Sequence, residues 1–381
     1  TSYKFDFSGK KKVKEGYTRI DNATLYTPEQ GYGYDFVKSG EQVDRCFSFS
    51  VDVPDGNYRV SVVVGNPRAA GVTTLRGESR RLFYERVATR KGEYKTCVFT
   101  INKRNTCIVG NEHVRIKARE QGKLNWDDKL TIEVAGPMPQ VTEMVIERID
   151  TATTVFLCGN STVVDQDNEP WASWGQMIPR VFNHQLCVAN FAESGESANT
   201  FIAAKRWKKI LTMIKPGDYV LIQFGHNDMG DIAGGKARAD IRGVRDSSHV
   251  YRLEKDRTYK VVYSYGWYLR KFVGDVREKG GTPVIVSMTP RNEWPEGKME
   301  RRPGSCASWA KEVAEELDVP FVDMHNLTAD YLARKAGSKE KAEKYYKRDH
   351  THTSLLGAQL NAKMFRKGIK KTDCDLKKLM K

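Results

Sequence analysis

The sequence predicts two units of different class: an all-β sandwich, followed by a three-layer α/β unit with a parallel sheet. Up to about residue 135, short apolar or alternating runs are separated by Gly, Pro, Asn and Asp, which is typical of a sandwich. Beyond the stretch "AGPMPQ", strand-like runs alternate with helix-like runs, which favours an α/β fold. A chain of 381 residues that is 39% hydrophobic can bury two cores.

The β-sandwich is predicted over residues 1–137. Its strand-like runs are "YKFDF", "RCFSFSVDV", "YRVSVVVG", "YKTCVFTI" and "LTIEVAG". The stretch "SFSVDVPDGNYRVSVVVGN" predicts a β-hairpin, because Pro54, Asp55 and Gly56 supply a turn between two runs that suit a pleated sheet. Residues 138–152 are predicted to link the two units.

The α/β unit is predicted over residues 153–381. Its strands are "TTVFLC", "QLCVANFA", "DYVLIQFG", "TPVIVSMTP" and "VPFVDMH", and its helices include "ANTFIAAKRWKKILTMI", "YGWYLRKFVGDVREKG", "CASWAKEVAEEL" and "SLLGAQLNAKMFRKGI". Nearly continuous apolar strands indicate a parallel sheet that helices cover on both faces. Such sheets bind ligands at the carboxyl ends of their strands. The polar segment 230–260 is predicted to be an insertion over that edge.

The composition indicates a partner with many negative charges. Lys and Arg number 63 against 48 Asp and Glu, a net charge of +15, which suits nucleic acid, an anionic surface or an acidic polysaccharide. The basic residues are scattered, and the sequence has no zinc-finger or RNA-binding strand motif, so acidic carbohydrate is favoured over nucleic acid. No apolar run approaches the roughly 20 residues of a membrane-spanning helix.

The cysteines do not indicate a metal or redox site. There are seven, at positions 46, 97, 107, 158, 187, 306 and 374, and none forms a CxxC pair. Cys97 and Cys107 flank a predicted strand and turn, where they could face each other across a hairpin. Cys158 and Cys187 lie in apolar strands and are predicted to be buried as small hydrophobic residues.

Several polar residues follow predicted strands, where a parallel sheet brings them together. Ser161, Gly195 and Asn227 come after the first three strands of the second unit, and Asp349 and His352 come just before its last helix. His352 would remove the proton of the Ser161 hydroxyl, while Asp349 orients the imidazole. The N–H groups of Ser161 and Gly195 and the amide of Asn227 would stabilise an oxyanion. This set of groups is what acyl transfer from an ester requires.

Each of these residues also has a simpler interpretation. Ser161 could cap a helix or form a turn, and His226 could brace the loop of Asn227. His350 and His352 could form a His-x-His metal pair, but no third and fourth ligands occur at suitable spacings. We therefore predict an enzyme without a metal or another cofactor.

The motifs resemble those of a known family. "GNS" at 159–161, Gly195, "GHND" at 225–228 and "DHTH" at 349–352 resemble the four blocks of the SGNH (GDSL-type) hydrolases, in the family's order. "WASWGQ", "YGWYLRKF", "TPRNEW" and "DHTHTSLLGA" are similar to rhamnogalacturonan acetylesterases. The resemblance implies a flavodoxin-like sheet and no metal. One departure is Asn160, where the family usually has Asp. The N-terminal unit resembles the galactose-binding-like jelly-roll domains of polysaccharide enzymes.

The resemblance implies a serine carbohydrate esterase that removes acetyl groups from pectic rhamnogalacturonan. Its partner would be an acidic plant cell-wall polysaccharide. Arg291 and Asn292 follow the fourth strand of the second unit, whose end should open onto the site, so we predict them as substrate contacts. Trp174 is a further candidate contact, which would stack on a sugar ring, although tryptophans of an α/β fold are more often core residues. We expect it to act outside the cytoplasm, with an export signal that is not in the sequence given. The alternatives are an esterase for acetylated xylan, a lipid or small esters, and a catalytically silent carbohydrate-binding protein.

Overall fold

The structure is a computed structural model that describes residues 2–38 and 40–381. Twelve strands are described in its N-terminal part. They are β1 (Ser2–Asp6), β2 (Thr18–Arg19), β3 (Tyr32–Asp35), β4 (Phe47–Asp52), β5 (Gly56–Gly65), β6 (Gly71–Gly77), β7 (Arg81–Thr89), β8 (Tyr94–Lys103), β9 (Cys107–Val109), β10 (Glu112–His113), β11 (Lys129–Met138) and β12 (Val141–Arg148).

These strands form a β-sandwich, as predicted. One layer has the order β3-β4-β11-β6-β7, and the other contains β8, β5, β12, β1 and β2 in that order. Alternate residues of both layers fill one apolar core, for example Phe49 of β4, Val60 of β5 and Ile132 of β11. The period of two along each strand therefore accounts for this core.

The predicted hairpin of β4 and β5 is wrong. β4 pairs with β3 and β11, whereas β5 pairs with β8 and β12. The turn at Pro54–Gly56 therefore carries the chain from one layer of the sandwich to the other. An alternating pattern on both sides of a turn identifies two strands but does not determine whether they are in the same sheet.

The predicted linker at 138–152 is largely a strand. β12 lies between β5 and β1 and is antiparallel to both. Its residues Met144 and Ile146 are fully buried in the sandwich core. The alternation in "VTEMVIER" is that of a half-buried strand, although two prolines just before it suggest a break.

The second part of the chain contains the remaining strands and the helices. The strands are β13 (Thr153–Gly159), β14 (Leu186–Asn190), β15 (Tyr219–Gln223), β16 (Ser248–Arg252), β17 (Tyr259–Tyr263), β18 (Thr282–Val286) and β19 (Phe321–Val322). The helices are α1 (Trp174–Met177), α2 (Ala198–Ala203), α3 (Arg206–Met213), α4 (Tyr265–Glu278), α5 (Cys306–Glu316), α6 (Met324–Lys335), α7 (Lys339–Ala342) and α8 (Leu355–Ile369).

A parallel sheet with helices on both faces confirms the predicted three-layer α/β fold. Its order is β19-β18-β15-β13-β14, and every pairing is parallel. Phe156 and Cys158 of β13 pack against α2 to α5 on one face, and Val155 and Leu157 pack against α1 and α8 on the other. Burial on both faces is why these strands are continuously apolar.

The helix predicted over 198–214 is broken into α2 and α3. Lys205 lies between them with φ of 62°, in the left-handed region that a continuous helix does not contain. By contrast, α4, α5 and α8 occupy the predicted segments. Ser354 caps α8 by accepting a hydrogen bond from the N–H of Gly357.

The two units share one sheet, because β14 pairs with β8 of the sandwich at Val188 and Ile101. The fully buried Arg81 crosses this junction: its Nε lies 2.9 Å from Oδ2 of Asp165, and its Nη1 donates to the carbonyl of Val188. Asn57 of the sandwich donates to Thr154 of β13 at 2.8 Å. The junction therefore combines a shared sheet with buried side-chain hydrogen bonds and an ion pair.

All seven cysteines have free thiols. Cys97 lies inside β8 opposite Val62 of β5, so it does not face Cys107 as the predicted hairpin requires. Cys158 and Cys187 are buried, as predicted. Within residues 2–38 and 40–381, the helices are all too short or too polar to cross a bilayer.

Candidate active site

Ser161 lies in the turn directly after β13, at the carboxyl edge of the parallel sheet. Its side chain is only 7% exposed. Its carbonyl accepts hydrogen bonds from Oγ of Ser173 at 2.6 Å and from Nε2 of Gln166 at 2.9 Å. Gly159 allows the strand end to pack closely here, since a Cβ would lie 2.6 Å from Cγ2 of Val163. The turn is thereby fixed on several sides.

His352 connects Ser161 to Asp349. Nε2 of His352 is 2.8 Å from Oγ of Ser161, and Nδ1 is 2.7 Å from Oδ2 of Asp349. A separation of three residues within one turn lets the carboxylate and the imidazole meet. The structure thus brings together the three residues that the sequence singled out, in one chain of hydrogen bonds.

The hydrogen bonds around Asp349 keep its carboxylate ionised. Its Oδ1 accepts the backbone N–H groups of Thr351 and His352, each at 2.7 Å. Burial by itself would raise the pKa of Asp349, but the bonds from the His352 backbone, the imidazole and Thr351 lower the pKa below its ordinary value. An ionised Asp349 favours the tautomer of His352 that has its proton on Nδ1 and can accept a proton at Nε2.

Two loops beside Ser161 contain the predicted oxyanion donors. Gly195 follows β14 with φ of 81°, a conformation that favours glycine. Nδ2 of Asn227 donates to the carbonyl of Glu196 at 2.8 Å, which leaves its second N–H for another acceptor. In the part of the chain that the structure describes, the backbone N–H groups of Ser161 and Gly195 donate to no protein atom.

Asn160 keeps the geometry of the turn without a charge. Its Oδ1 accepts the N–H of Thr162 at 3.1 Å and the Thr162 hydroxyl at 2.9 Å. A carboxylate oxygen of Asp at this position would accept the same two hydrogen bonds. Nδ2 of Asn160 is buried and has no partner among the described residues.

Two other histidines near this edge, His226 and His350, have structural contacts. Nε2 of His226 lies 3.0 Å from Oγ1 of Thr289, so His226 braces its loop. His350 contacts Thr351 at 2.9 Å. Both nitrogens of His352 are already bonded, which does not suit a His-x-His metal pair. Residues 2–38 and 40–381 contain no cluster of three His, Cys, Asp or Glu side chains that could hold a metal ion.

The three predicted substrate contacts differ in their burial and in the groups that they contact. Trp174 is 0% exposed, stacks on Phe365 and donates to Gln223 at 2.8 Å. The prediction that it contacts a substrate is therefore wrong, because it is a core residue of α1. Asn292 is buried and donates to the carbonyl of Lys339, which orders a loop. Arg291 is half-buried, and its Nε has no partner among the described residues.

A cavity of about 560 Å³ opens beside Asp349. Its lining residues are Asn292, Lys339, Glu343, Lys344, Tyr346, Lys347, Arg348, Asp349 and His350. Four cationic side chains thus outnumber two carboxylates. This cavity lies at the β18 side of Ser161, because Asn292 follows β18 in the sheet order β18-β15-β13-β14.

Cationic residues on the other side of Ser161 were missed by the sequence reasoning. Lys117 and Arg119 come from the N-terminal unit, yet both donate to the carbonyl of Ser194, beside Gly195. Arg238 of the insertion approaches the same loop. No motif marks these residues, since their contact depends on how the two units pack.

Three relatives show how far the similarity extends. The rhamnogalacturonan acetylesterase RhgT of Bacillus subtilis is 31% identical over 240 residues, covering 58% of this chain and 92% of RhgT. The rhamnogalacturonan acetylesterase of Emericella nidulans is 28% identical over 218 residues, covering 57% of this chain and 85% of that protein. The uncharacterized esterase YxiM of Bacillus subtilis is 25% identical over 393 residues, covering 95% of this chain and 89% of YxiM.

The crystal structure of YxiM has the same fold along nearly the whole chain. It matches with a TM-score of 0.50 and 21% identity, over 97% of this chain and 98% of YxiM. The profile of the GDSL-like Lipase/Acylhydrolase family matches residues 157–360, which is more than half of the chain. The match begins within β13 and ends within α8, so it includes every residue of the hydrogen-bonded Ser161–His352–Asp349 chain. The protein therefore belongs to the GDSL-like lipase/acylhydrolase (SGNH) family and is a carboxylic ester hydrolase.

Proposed function

We propose that this protein is a carbohydrate O-acetylesterase in which Ser161 is the nucleophile. The observation that carries the proposal is the chain of hydrogen bonds from Asp349 through His352 to Ser161, next to two N–H groups that are unused among the described residues. Two relatives are named rhamnogalacturonan acetylesterase, which supports an acetylated carbohydrate as the substrate.

The mechanism follows from these positions. Oγ of Ser161 bonds to the acetyl carbonyl carbon as Nε2 of His352 takes its proton, and the N–H groups of Ser161, Gly195 and Asn227 stabilise the oxyanion. The tetrahedral intermediate collapses, the sugar hydroxyl leaves with the proton from His352, and an acetyl-enzyme remains. His352 then deprotonates a water molecule that attacks this ester, which releases acetate and restores the Ser161 hydroxyl.

We further propose rhamnogalacturonan of pectin as the specific substrate. Its regular carboxylates suit a chain with a net charge of +15. The four cationic residues of the cavity beside Asp349 and the half-buried Arg291 support the same assignment. A plant cell-wall polysaccharide is met outside the cytoplasm, where we propose that the enzyme acts.

The test is acetate release from a panel of acetylated polysaccharides. We expect faster release from acetylated rhamnogalacturonan than from neutral acetylated xylan. The pectic rate should fall as salt rises to about 0.5 M, where the Debye length is only a few Å, whereas hydrolysis of 4-nitrophenyl acetate should change little. Equal rates on both polymers at every salt concentration would rule out the pectic specificity while leaving the esterase assignment intact.

A further inference from the structure

Three cationic nitrogens converge beside Gly195. A Cβ placed on this glycine would lie 3.3 Å from Nη1 of Arg238, 3.5 Å from Nζ of Lys117 and 3.9 Å from Nη2 of Arg119. The glycine leaves that space open. Lys117 and Arg119 come from one segment of the N-terminal unit and Arg238 comes from the insertion, so two distant parts of the chain form this cluster beside the loop of Gly195.

Two of the three cations have partners inside the protein. Nζ of Lys117 is 2.6 Å from Oε1 of Glu196, and Nη2 of Arg119 is 2.9 Å from Oε1 of Glu193. Both glutamates are at most 3% exposed, which explains why cations lie against them. Glu193 also lies 3.9 Å from Nζ of Lys123, and Glu196 lies 3.8 Å from Nε of Arg206, so cations already compensate both carboxylates.

Arg238 is the surplus charge of this cluster. Within the described residues, its guanidinium forms no ion pair and donates to no protein atom, while its backbone carbonyl accepts from Asn199 at 2.9 Å. The backbone of Arg238 is therefore anchored and its side chain is available. A planar guanidinium with free donors is well suited to a carboxylate.

The two paired cations also have donors to spare. A Lys ammonium has three N–H donors, and Lys117 uses two of them, on Glu196 and on the carbonyl of Ser194. Arg119 bonds through Nε and Nη2, so its Nη1 remains. An anion beside Arg238 can thus accept hydrogen bonds from more than one side chain.

This cluster borders the reacting centre. The N–H of Glu193 donates to the carbonyl of Gly159 at 3.2 Å, and Asn227 donates to the carbonyl of Glu196. The loop 193–196 is thereby held between the turn of Ser161 and the loop of Asn227. A sugar whose acetyl group reaches Ser161 would place a neighbouring unit over this loop.

We propose that Arg238, assisted by Arg119 and Lys117, binds the carboxylate of an acidic sugar unit next to the acetylated one. The N-terminal unit then forms part of the substrate site. The proposal rests on the proposed function and deepens it. A polymer bound in this way would run across the site. One end would lie in the cavity beside Asp349, at the β18 side of Ser161, and the other would lie in this subsite, at the β14 side.

The direct test is calorimetric binding of trigalacturonate to the full chain, with neutral xylotriose for comparison. We expect Arg238→Gln to raise the Kd for trigalacturonate by roughly 10-fold, the effect of one lost charge-assisted hydrogen bond. Arg119→Gln should raise it by a smaller factor. Arg252→Gln is the matched control, because it removes the same charge from an exposed site on β16 of the same insertion and should leave this Kd unchanged.

A Kd for trigalacturonate that stays unchanged in Arg238→Gln, or rises equally in Arg252→Gln, would overturn the proposal. This measurement involves no ester, so it is separate from the proposed function, which fails if the wild-type chain releases no acetate from any acetylated polysaccharide. A second readout is the ratio of kcat/KM on an acetylated acidic oligosaccharide to that on its carboxyl-reduced form. This ratio should fall in Arg238→Gln. An equal loss of kcat/KM on both substrates would instead indicate that Arg238 stabilises the oxyanion, and it would contradict the proposed carboxylate subsite.

Discussion

Asp349 illustrates how single residues determine the chemistry at this edge of the sheet. One carboxylate oxygen accepts two backbone N–H groups, and the other accepts the imidazole of His352. The backbone bonds hold the carboxylate in place, so the imidazole has one orientation. That orientation directs Nε2 towards Ser161.

Replacing Asp349 with Asn tests this dependence. The amide keeps the shape of the side chain, but its N–H would favour the tautomer of His352 that cannot accept the Ser161 proton. We expect kcat on 4-nitrophenyl acetate to fall by roughly 10⁴-fold with little change in Tm. Asp373→Asn, at an exposed position near the C-terminus, is the control. Retention of a tenth of the wild-type kcat would contradict the proposed role of Asp349.

Sequence reasoning reached some of these residues and not others, for physical reasons. Ser161, Asn227 and His352 could be proposed because each adjoins a recognisable strand or helix and has a side chain suited to acyl transfer. The contact of Lys117 with Ser194 could not be predicted, since it joins residues 77 positions apart through the packing of two units. The core position of Trp174 does not follow from its place in the sequence, since an aromatic residue beside a motif suits a core as well as a sugar platform.

Secondary structure was predicted well where burial alone determines it. The strands of the parallel sheet are buried on both faces, so their apolar runs identify them in the sequence. Pairing was predicted poorly, because the alternation of β4 and β5 fits either sheet of a sandwich. The strand β12 is harder to predict, because Pro137 and Pro139 directly before it indicate a break although its own residues alternate as in a strand.

The insertion after β15 is attached through a pair of buried carboxyl groups. Asp240 of the insertion and Asp228 of the Asn227 loop are each 1% exposed, and the N–H of Asp240 donates to the carbonyl of Asp228 at 2.8 Å. Burial, followed by the charge of Asp228, raises the pKa of Asp240 well above its ordinary value. In the folded state Asp240 therefore holds a proton at pH values where the unfolded chain has released it.

Replacing Asp240 with Asn should reduce the loss of stability at high pH. Because the folded pKa is raised, the free energy of unfolding falls as pH rises above about 4, the ordinary Asp pKa. An amide cannot ionise, so this contribution to the pH dependence is removed. We expect the difference in Tm between pH 5 and pH 8 to shrink by roughly 2 °C or more. Asp256→Asn, on the exposed part of the insertion, should leave it unchanged, and an unchanged difference in Asp240→Asn would refute this account.

At the scale of the whole molecule, the N-terminal unit is part of the fold of the hydrolase unit. The shared sheet, the buried Arg81 and the hydrogen bond of Asn57 all cross the junction. Lys117 and Arg119 extend the N-terminal unit to the loop of Gly195. The division at residues 138–152 that the sequence suggested does not correspond to a flexible connection.

Arg81→Met tests this junction. It leaves Asp165 buried without its cation and should reduce the free energy of unfolding by about 3–5 kcal/mol, measured by urea denaturation. Burial already raises the pKa of Asp165 to about 6, so we expect a larger loss at pH 8 than at pH 5, where the carboxyl group can take up a proton. Adding Asp165→Asn should recover part of the loss. A loss below about 1 kcal/mol at pH 8 would contradict the importance of this contact.

The central claim, that Ser161 is the nucleophile of an esterase, is tested most directly by labelling with a fluorophosphonate, a reagent that modifies activated serine hydroxyls. Peptide mass spectrometry of the labelled full chain should locate one modification, on Ser161, appearing in step with the loss of 4-nitrophenyl acetate hydrolysis. His352→Ala should label far more slowly, because Ser161 then lacks its base. Modification of a different residue, or complete loss of hydrolysis while Ser161 stays unmodified, would contradict the account.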